Sequence, residues 1–98
     1  MNGVLAELQA WYLSNCDGYW EHECGVQIET LDNPGWSVQI NLLETELAGK
    51  SFDRLDIERS DDDWLTSWVE ENTFNGACGP ENLEELLRVF LVWSKTGN

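Results

Sequence analysis

The alternation of apolar and polar positions is clearest between residues 25 and 43. Residues 26–31 and 36–42 largely alternate between the two kinds of side chain, which is the period of a strand with one buried face. Between them, Pro34 has the φ that the second position of a type II turn needs, and Gly35 tolerates the positive φ of the third position. The stretch predicts a β-hairpin, which must pack on another part of the chain because a two-stranded ribbon alone is marginal in water.

Two further strands are predicted in the second half of the chain. Residues 52–59 and 64–72 again alternate between apolar and polar side chains, as half-buried strands do. The short polar side chains of residues 60–63 favour a turn between these strands. Residues 74–79 contain two glycines, and we expect them to form a crossover loop.

A helix is predicted near each end of the chain. Residues 3–15 carry one broad apolar stripe, formed by Val4, Leu5, Leu8, Trp11 and Tyr12. The second helix is expected to begin with Pro80 at its first position, where the missing N–H costs nothing. Sequential antiparallel strands joined by short turns form a meander. The predicted fold is therefore α+β: a four-stranded antiparallel meander with N- and C-terminal helices packed on one face, in a single domain spanning residues 1–98.

Length and composition favour one small globular domain. The chain has 98 residues, of which 42% are hydrophobic and six are tryptophan, so it can bury a core and is not expected to be disordered. No apolar run approaches the roughly 20 residues that a membrane span needs. The first three residues lack the basic region of a signal peptide. A cytoplasmic location and no membrane partner are the simplest expectations.

The charge of the chain is strongly and unevenly negative. The net charge is −14, and no basic side chain precedes Lys50. Such a field repels phosphate backbones, so nucleic acid is not expected as a ligand. It attracts basic proteins and raises their association rate. Acidity that only keeps a small cytosolic protein soluble is an equally good interpretation of the charge by itself.

The alternation also predicts a sheet face that the helices leave uncovered. If the apolar positions of the four strands face the helices, the opposite face combines carboxylates with two tryptophans, as a surface for a basic protein partner would. The candidate partner-binding residues on this face are Glu29, Gln39, Asn41, Asp56, Glu58, Trp64, Trp68 and Glu70. The alternative is that both tryptophans are covered by the loop at residues 15–24.

The chain offers little to support catalysis or metal binding. Three thiols and one imidazole, from Cys16, His22, Cys24 and Cys78, are formally a zinc set. They contain no Cys-x2-Cys pair, however, and their spacing is poor for zinc. Carboxylates flank the thiols and would raise their pKa, which disfavours a cysteine nucleophile. We therefore expect no enzyme, no cofactor and no metal, with a small zinc-binding protein as the alternative function.

Five groups of residues form a pattern that spans nearly the whole chain. They are Trp11-Tyr12, Cys16-Asp17-Gly18 with Trp20-Glu21-His22, the run from Ile28 to Trp36 that contains Asp32-Asn33-Pro34-Gly35, Glu58-Arg59-Ser60 with Asp63-Trp64, and Gly79-Pro80-Glu81-Asn82-Leu83 before the closing helix. In these groups, their order and their spacing, the chain resembles the bacterial immunity protein 53 family.

The resemblance implies a role in a polymorphic toxin system. A member of this family would sit in the bacterial cytoplasm, bind a cognate toxin domain and block it, without being an enzyme itself. Many such toxins are nucleases with basic clefts, so a basic toxin is the expected partner of this acidic chain. The chain is expected to be a monomer or a weak homodimer. A general acidic adaptor protein is a further alternative.

Overall fold

The computed structural model describes residues 3–96, which form three helices and five strands. In chain order they are α1 (Val4–Asn15), α2 (Trp20–Glu23), β1 (Val26–Leu31), β2 (Gly35–Asn41), β3 (Leu55–Ser60), β4 (Asp63–Glu70), β5 (Thr73–Cys78) and α3 (Leu83–Lys95). The α+β class is confirmed. The short helix α2 lies within the predicted loop at residues 15–24.

All five strands form one antiparallel sheet in the order β1-β2-β5-β4-β3. The prediction of a four-stranded meander is wrong, because residues 74–79 are not a crossover loop. Most of them belong to β5, the central strand, which pairs with both β2 and β4. The chain therefore crosses from one edge region of the sheet to the other between β2 and β3.

Gly76 explains why β5 resembles a loop in the sequence. Phe74 and Cys78 alternate with polar or small residues, and Gly76 occupies the core-facing position between them. A Cβ atom at Gly76 would lie 2.7 Å from Leu86 Cδ1 of α3. The glycine therefore allows the helix to approach the centre of the sheet closely, which is a known reason for glycine within a strand.

The long helices pack on the face of the sheet that carries the apolar positions. Phe74 of β5 contacts Phe90 of α3 with ring centroids 5.1 Å apart, and Trp11 of α1 contacts Phe90 at 5.0 Å. The core also includes Val38, Ile40, Leu65, Cys78, Leu86 and Leu91. The buried face of α1 is narrower than the predicted apolar stripe, since Leu5 is 62% exposed.

The closing helix begins three residues later than expected. Pro80 and Glu81 form a turn, and α3 starts at Leu83. Asn82 precedes the helix, and its backbone oxygen accepts a hydrogen bond from the N–H of Leu86 (2.9 Å). Its side chain forms hydrogen bonds with Asp63 and with the backbone N–H of Trp64, at the start of β4. These contacts hold Asn82 in place and so determine where the helix starts.

The turn between β1 and β2 differs from the predicted type II turn. The Asn33–Pro34 peptide bond is cis, and Gly35 does not have a positive φ. Gly35 is already the first residue of β2, paired with Leu31. Its lack of a side chain matters for another reason: a Cβ atom there would overlap the backbone carbonyl oxygen of Cys78.

Candidate functional site

The sheet face opposite the helices carries the alternate residues of all five strands; we call it the open face. Its members follow from the pairing registers, since residues opposite each other in neighbouring strands share a face. The registers place all eight candidate residues there: Glu29, Gln39, Asn41, Asp56, Glu58, Trp64, Trp68 and Glu70. Their role in binding stays a prediction.

The centre of the open face is uncharged, and its carboxylates lie towards the periphery. One row runs across the sheet through Glu29, Ser37, Ala77, Thr66 and Asp56, and the next runs through Gln27, Gln39, Asn75 and Trp68. The acids of these rows belong to the two edge strands. The face therefore has a floor of amide, hydroxyl and indole groups between two anionic edges.

Arg54, which the sequence reasoning did not include, lies on the same face. Its guanidinium group is 4.9 Å from the centre of the Trp68 ring, a distance typical of a cation–π contact. Its Nε donates to Asp56 Oδ2 (3.0 Å). Thr66 and Arg54, in that order of effect, hold the pKa of the Asp56 carboxyl below its usual value by hydrogen bonding to its charged form. One acid of the open face is thus already neutralised within the chain.

Both candidate tryptophans lie outside the helix-packed core. Trp64 and Trp68 are half-buried on the open face. Residues 15–24 do not cover them, because this segment packs on α1: the Trp20 ring lies 5.8 Å from the Trp11 ring and 5.7 Å from the Tyr12 ring. Both indole rings therefore contribute partly accessible apolar surface between polar neighbours.

A groove of about 430 Å³ lies at the β1 side of the open face. It is lined by Glu23, Cys24, Gly25, Val26, Gln27, Gln39, Asn41 and Thr73. Two candidate residues, Gln39 and Asn41, belong to this lining. The side-chain amide oxygen of Asn41 accepts the backbone N–H of Leu43 (2.9 Å), so Asn41 also shapes the chain as it leaves β2.

The basic side chains are all bound within the chain. Four of them form ion pairs, namely Arg54 with Asp56, Arg59 with Asp63 and Glu85, Arg88 with Glu84, and Lys95 with Glu7. Lys50 donates to the carbonyl oxygens of Trp93 and Thr96 at the end of α3, both at 2.8 Å. Because the chain has 19 acidic residues and 5 basic ones, most carboxylates face solvent without a basic neighbour among residues 3–96.

A comparison with known protein families identifies the family of this chain. A family model described as immunity protein 53 matches residues 5–95. The chain belongs to the immunity protein 53 family. No curated protein and no solved structure matches it significantly. Membership confirms the resemblance found in the sequence and makes the chain an immunity protein of a toxin system, with a cognate toxin as its partner.

The three cysteines of this immunity protein lie at different places in the chain's fold: Cys16 follows α1, Cys24 follows α2 and Cys78 ends β5. Cys78 faces the core from β5, and burial raises its pKa to about 11. Cys24 precedes β1, where burial and then Glu44 and Glu23 raise its pKa. Across residues 3–96 no three His, Cys, Asp or Glu side chains come together as a metal ion would require. Cys16, His22, Cys24 and Cys78 therefore do not form the zinc set considered as the alternative.

The structure adds residues to the open face that the sequence reasoning missed. The central strand contributes Thr73, Asn75 and Ala77, of which Asn75 and Ala77 lie in the segment predicted to be a loop. Their alternation with the apolar residues Phe74 and Cys78 was the available signal for a strand. Gly76 hides this signal because it stands where the alternation requires an apolar side chain. In the part of the immunity protein that the structure describes, no helix is both long and apolar enough to cross a membrane.

Proposed function

We propose that this immunity protein neutralises its toxin by covering a basic surface of the toxin with the open face. The observation that carries the proposal is the distribution of chemistry on that face: an uncharged floor with Trp64 and Trp68, bordered by Glu29 and Glu58 on the edge strands. Interfaces commonly combine aromatic residues at a core depleted of charge with a polar rim. The open face has this arrangement.

The net charge of −14 supports a basic toxin as the partner. Opposite charges accelerate encounter, and the rim acids can pair with lysine or arginine side chains as the two surfaces meet. A nuclease is a suitable toxin class, since a cleft that holds phosphates is basic. In this proposal the protein acts in the cytoplasm, has no catalytic activity of its own and inhibits by blocking access to the toxin.

The test is a binding measurement with the protein encoded immediately upstream of this chain's gene, made catalytically inactive. Glu58→Lys on the open face is compared with Glu46→Lys, an exposed acid in the segment that lines the groove between α1 and α3. Both substitutions change the net charge equally, so any difference between them reports local contact. We expect Glu58→Lys to weaken binding by about tenfold more than Glu46→Lys, which corresponds to roughly 1.4 kcal/mol.

A tryptophan variant examines the apolar part of the same surface. Trp68→Ala is expected to weaken toxin binding by at least about tenfold, because half-buried indoles at the centre of an interface are frequent anchors. Leu13→Ala is the matched control, since Leu13 is 70% exposed on α1. Circular dichroism and thermal melting establish that each variant is folded. Equal binding by all four variants and the unaltered protein would place the toxin on another surface.

A further inference from the structure

The two edges of the sheet are protected to very different degrees. An exposed strand edge can pair with another chain, and proteins block this with charged side chains and bulges. β3 carries Asp56, Glu58 and Arg59, and its register with β4 shifts between Glu58 and Ser60. β1 pairs with β2 without a shift from Val26 to Leu31, and Glu29 is its only charged residue.

The hydrogen-bonding groups that β1 leaves free follow from its register. The N–H of Asn41 donates to the carbonyl oxygen of Gly25 (3.0 Å), so these two residues occupy a hydrogen-bonded position of the ladder. In an antiparallel ladder such positions alternate with positions that are not hydrogen-bonded. The backbone groups of Gln27, Glu29 and Leu31 therefore point to β2, whereas those of Val26, Ile28 and Thr30 point away from the sheet.

We propose that the toxin binds by adding an extended strand to the β1 edge. This inference rests on the function proposed above and specifies how the toxin is held. The three outward-facing residues of β1 offer donors and acceptors at every second position, which is the pattern that an added strand requires. The added strand widens the sheet at the side where the groove of the open face lies. The strand edge and the open face therefore form one continuous surface for the toxin.

The side chains of β1 specify the kind of strand that fits. Val26 and Ile28 lie on the helix side of the sheet and are only half-buried, so apolar side chains of the partner would complete their burial. Gln27 and Glu29 lie on the open face and are exposed. A segment that alternates apolar residues with lysine or arginine matches both faces, because a basic side chain beside Glu29 forms a cross-strand charge pair.

Charge also favours the toxin over a second copy of this chain as the occupant. Pairing two β1 strands would bring Glu29 of each copy onto the same small surface, and like charges on neighbouring strands are destabilising. Each copy also carries a net charge of −14. A basic partner removes both penalties.

Amide hydrogen exchange followed by NMR tests the proposal at single residues. The probe is the inactive protein encoded immediately upstream, added in excess to the labelled immunity protein. We expect the amides of Val26, Ile28 and Thr30 to exchange at least about tenfold more slowly in the complex, since each becomes hydrogen-bonded. The amide of Leu5, an exposed residue in the first turn of α1 on the helix side of the sheet, is the internal control and should change little.

A proline variant provides an independent test. Thr30 is exposed, and Thr30→Pro removes an outward N–H without removing a bond to β2, a position where an edge strand accepts proline. It should weaken toxin binding by at least about tenfold, whereas Thr30→Val, which keeps the N–H, should not. If Thr30→Pro does not fold, the exchange measurement on the unaltered protein decides.

The outcomes separate this proposal from the broader one. If the unaltered protein does not bind the upstream protein, the proposed function fails. If it binds while the amides of Val26, Ile28 and Thr30 keep their exchange rates, strand addition is overturned, and Glu58→Lys and Trp68→Ala alone decide whether the toxin binds the open face. A homodimer that Thr30→Pro dissociates, seen by light scattering before toxin is added, would show that a second copy occupies the edge and would also overturn the proposal.

Discussion

Among single residues, Gly35 shows how a backbone contact restricts the sequence. It lies in β2 next to Cys78 of β5, and the close approach is to a carbonyl oxygen of the backbone rather than to a side chain that could turn away. Any Cβ atom must therefore move one strand relative to the other. The type II turn inferred from the sequence would have required glycine for its positive φ, a requirement that the structure does not have.

Gly35→Ala is expected to lower the free energy of unfolding by about 1–3 kcal/mol, the usual cost of forcing extra volume into a packed site. Urea denaturation followed by tryptophan fluorescence measures it. Gly3→Ser is the control, because a Cβ atom at Gly3 meets nothing within 4 Å and serine suits the position before a helix. A Gly35→Ala protein as stable as the unaltered one would mean that β2 and β5 separate locally at no cost.

At the level of elements, the sequence predicted what depends on one segment and failed where several segments act together. Both hairpin strands and α1 were placed within about two residues of their ends, because periodicity and turn residues are local signals. The strand β5 was missed because the reason for a glycine at position 76 is the close approach of Leu86 of α3. That contact is distant in sequence, so the pattern of residues around Gly76 does not reveal it. The start of α3 was misplaced because Asn82 is held by contacts distant in sequence.

The candidate residues of the open face illustrate the same limit. Their common face could be predicted because side-chain direction alternates along each strand independently of strand order. Which of them are neighbours could not, since the order of the strands depends on where β5 inserts. Gln39 and Trp68, for example, both lie beside Asn75 of the missed strand.

The connection between the β3–β4 turn and α3 is made by polar side chains. Arg59 donates to Asp63 (3.0 Å) and pairs with Glu85 (2.6 Å), while Asn82 Nδ2 donates to Asp63 Oδ1 (2.9 Å). Hydrogen bonds from Arg59 and then Asn82 lower the pKa of the Asp63 carboxyl by stabilising its charged form. Asp63 thereby links the turn to the residues at which the helix begins.

Because the folded-state pKa of Asp63 is lowered, its contribution to stability depends on pH. The unfolded chain takes up the proton first, so the contribution is complete above the ordinary pKa of about 3.9 and is lost as the pH falls through the lowered folded value. We expect Asp63→Asn to reduce the urea midpoint at pH 7 and the difference from the unaltered protein to shrink below about pH 4. Asp61→Asn, at an exposed turn residue, should show no such trend. A difference that stays constant with pH would contradict the link.

For the whole molecule, the excess of negative charge disfavours the folded state and, in the proposed function, favours binding of a basic toxin. The basic groups are all used inside the chain, so the remaining carboxylates repel one another across a domain with a radius of gyration of 13.4 Å. This repulsion disfavours the compact state. In the function proposed above, the same field accelerates the approach of the basic toxin, whose cations relieve the repulsion when they lie among the carboxylates.

Salt should therefore affect the free protein and its association with toxin in opposite directions. Raising sodium chloride from about 20 mM to about 300 mM shortens the screening length from roughly 20 Å to roughly 6 Å. We expect the melting temperature of the free protein to rise by about 5 °C, equivalent to roughly 1 kcal/mol for a domain of this size, and the association rate with the upstream protein to fall at least about tenfold. The double variant Asp61→Asn with Asp62→Asn should show a smaller rise, because it carries less repulsion to screen. A melting temperature that falls with salt would show that the attraction within the ion pairs outweighs the repulsion between carboxylates. The free protein would then contain no net repulsion for the toxin to relieve.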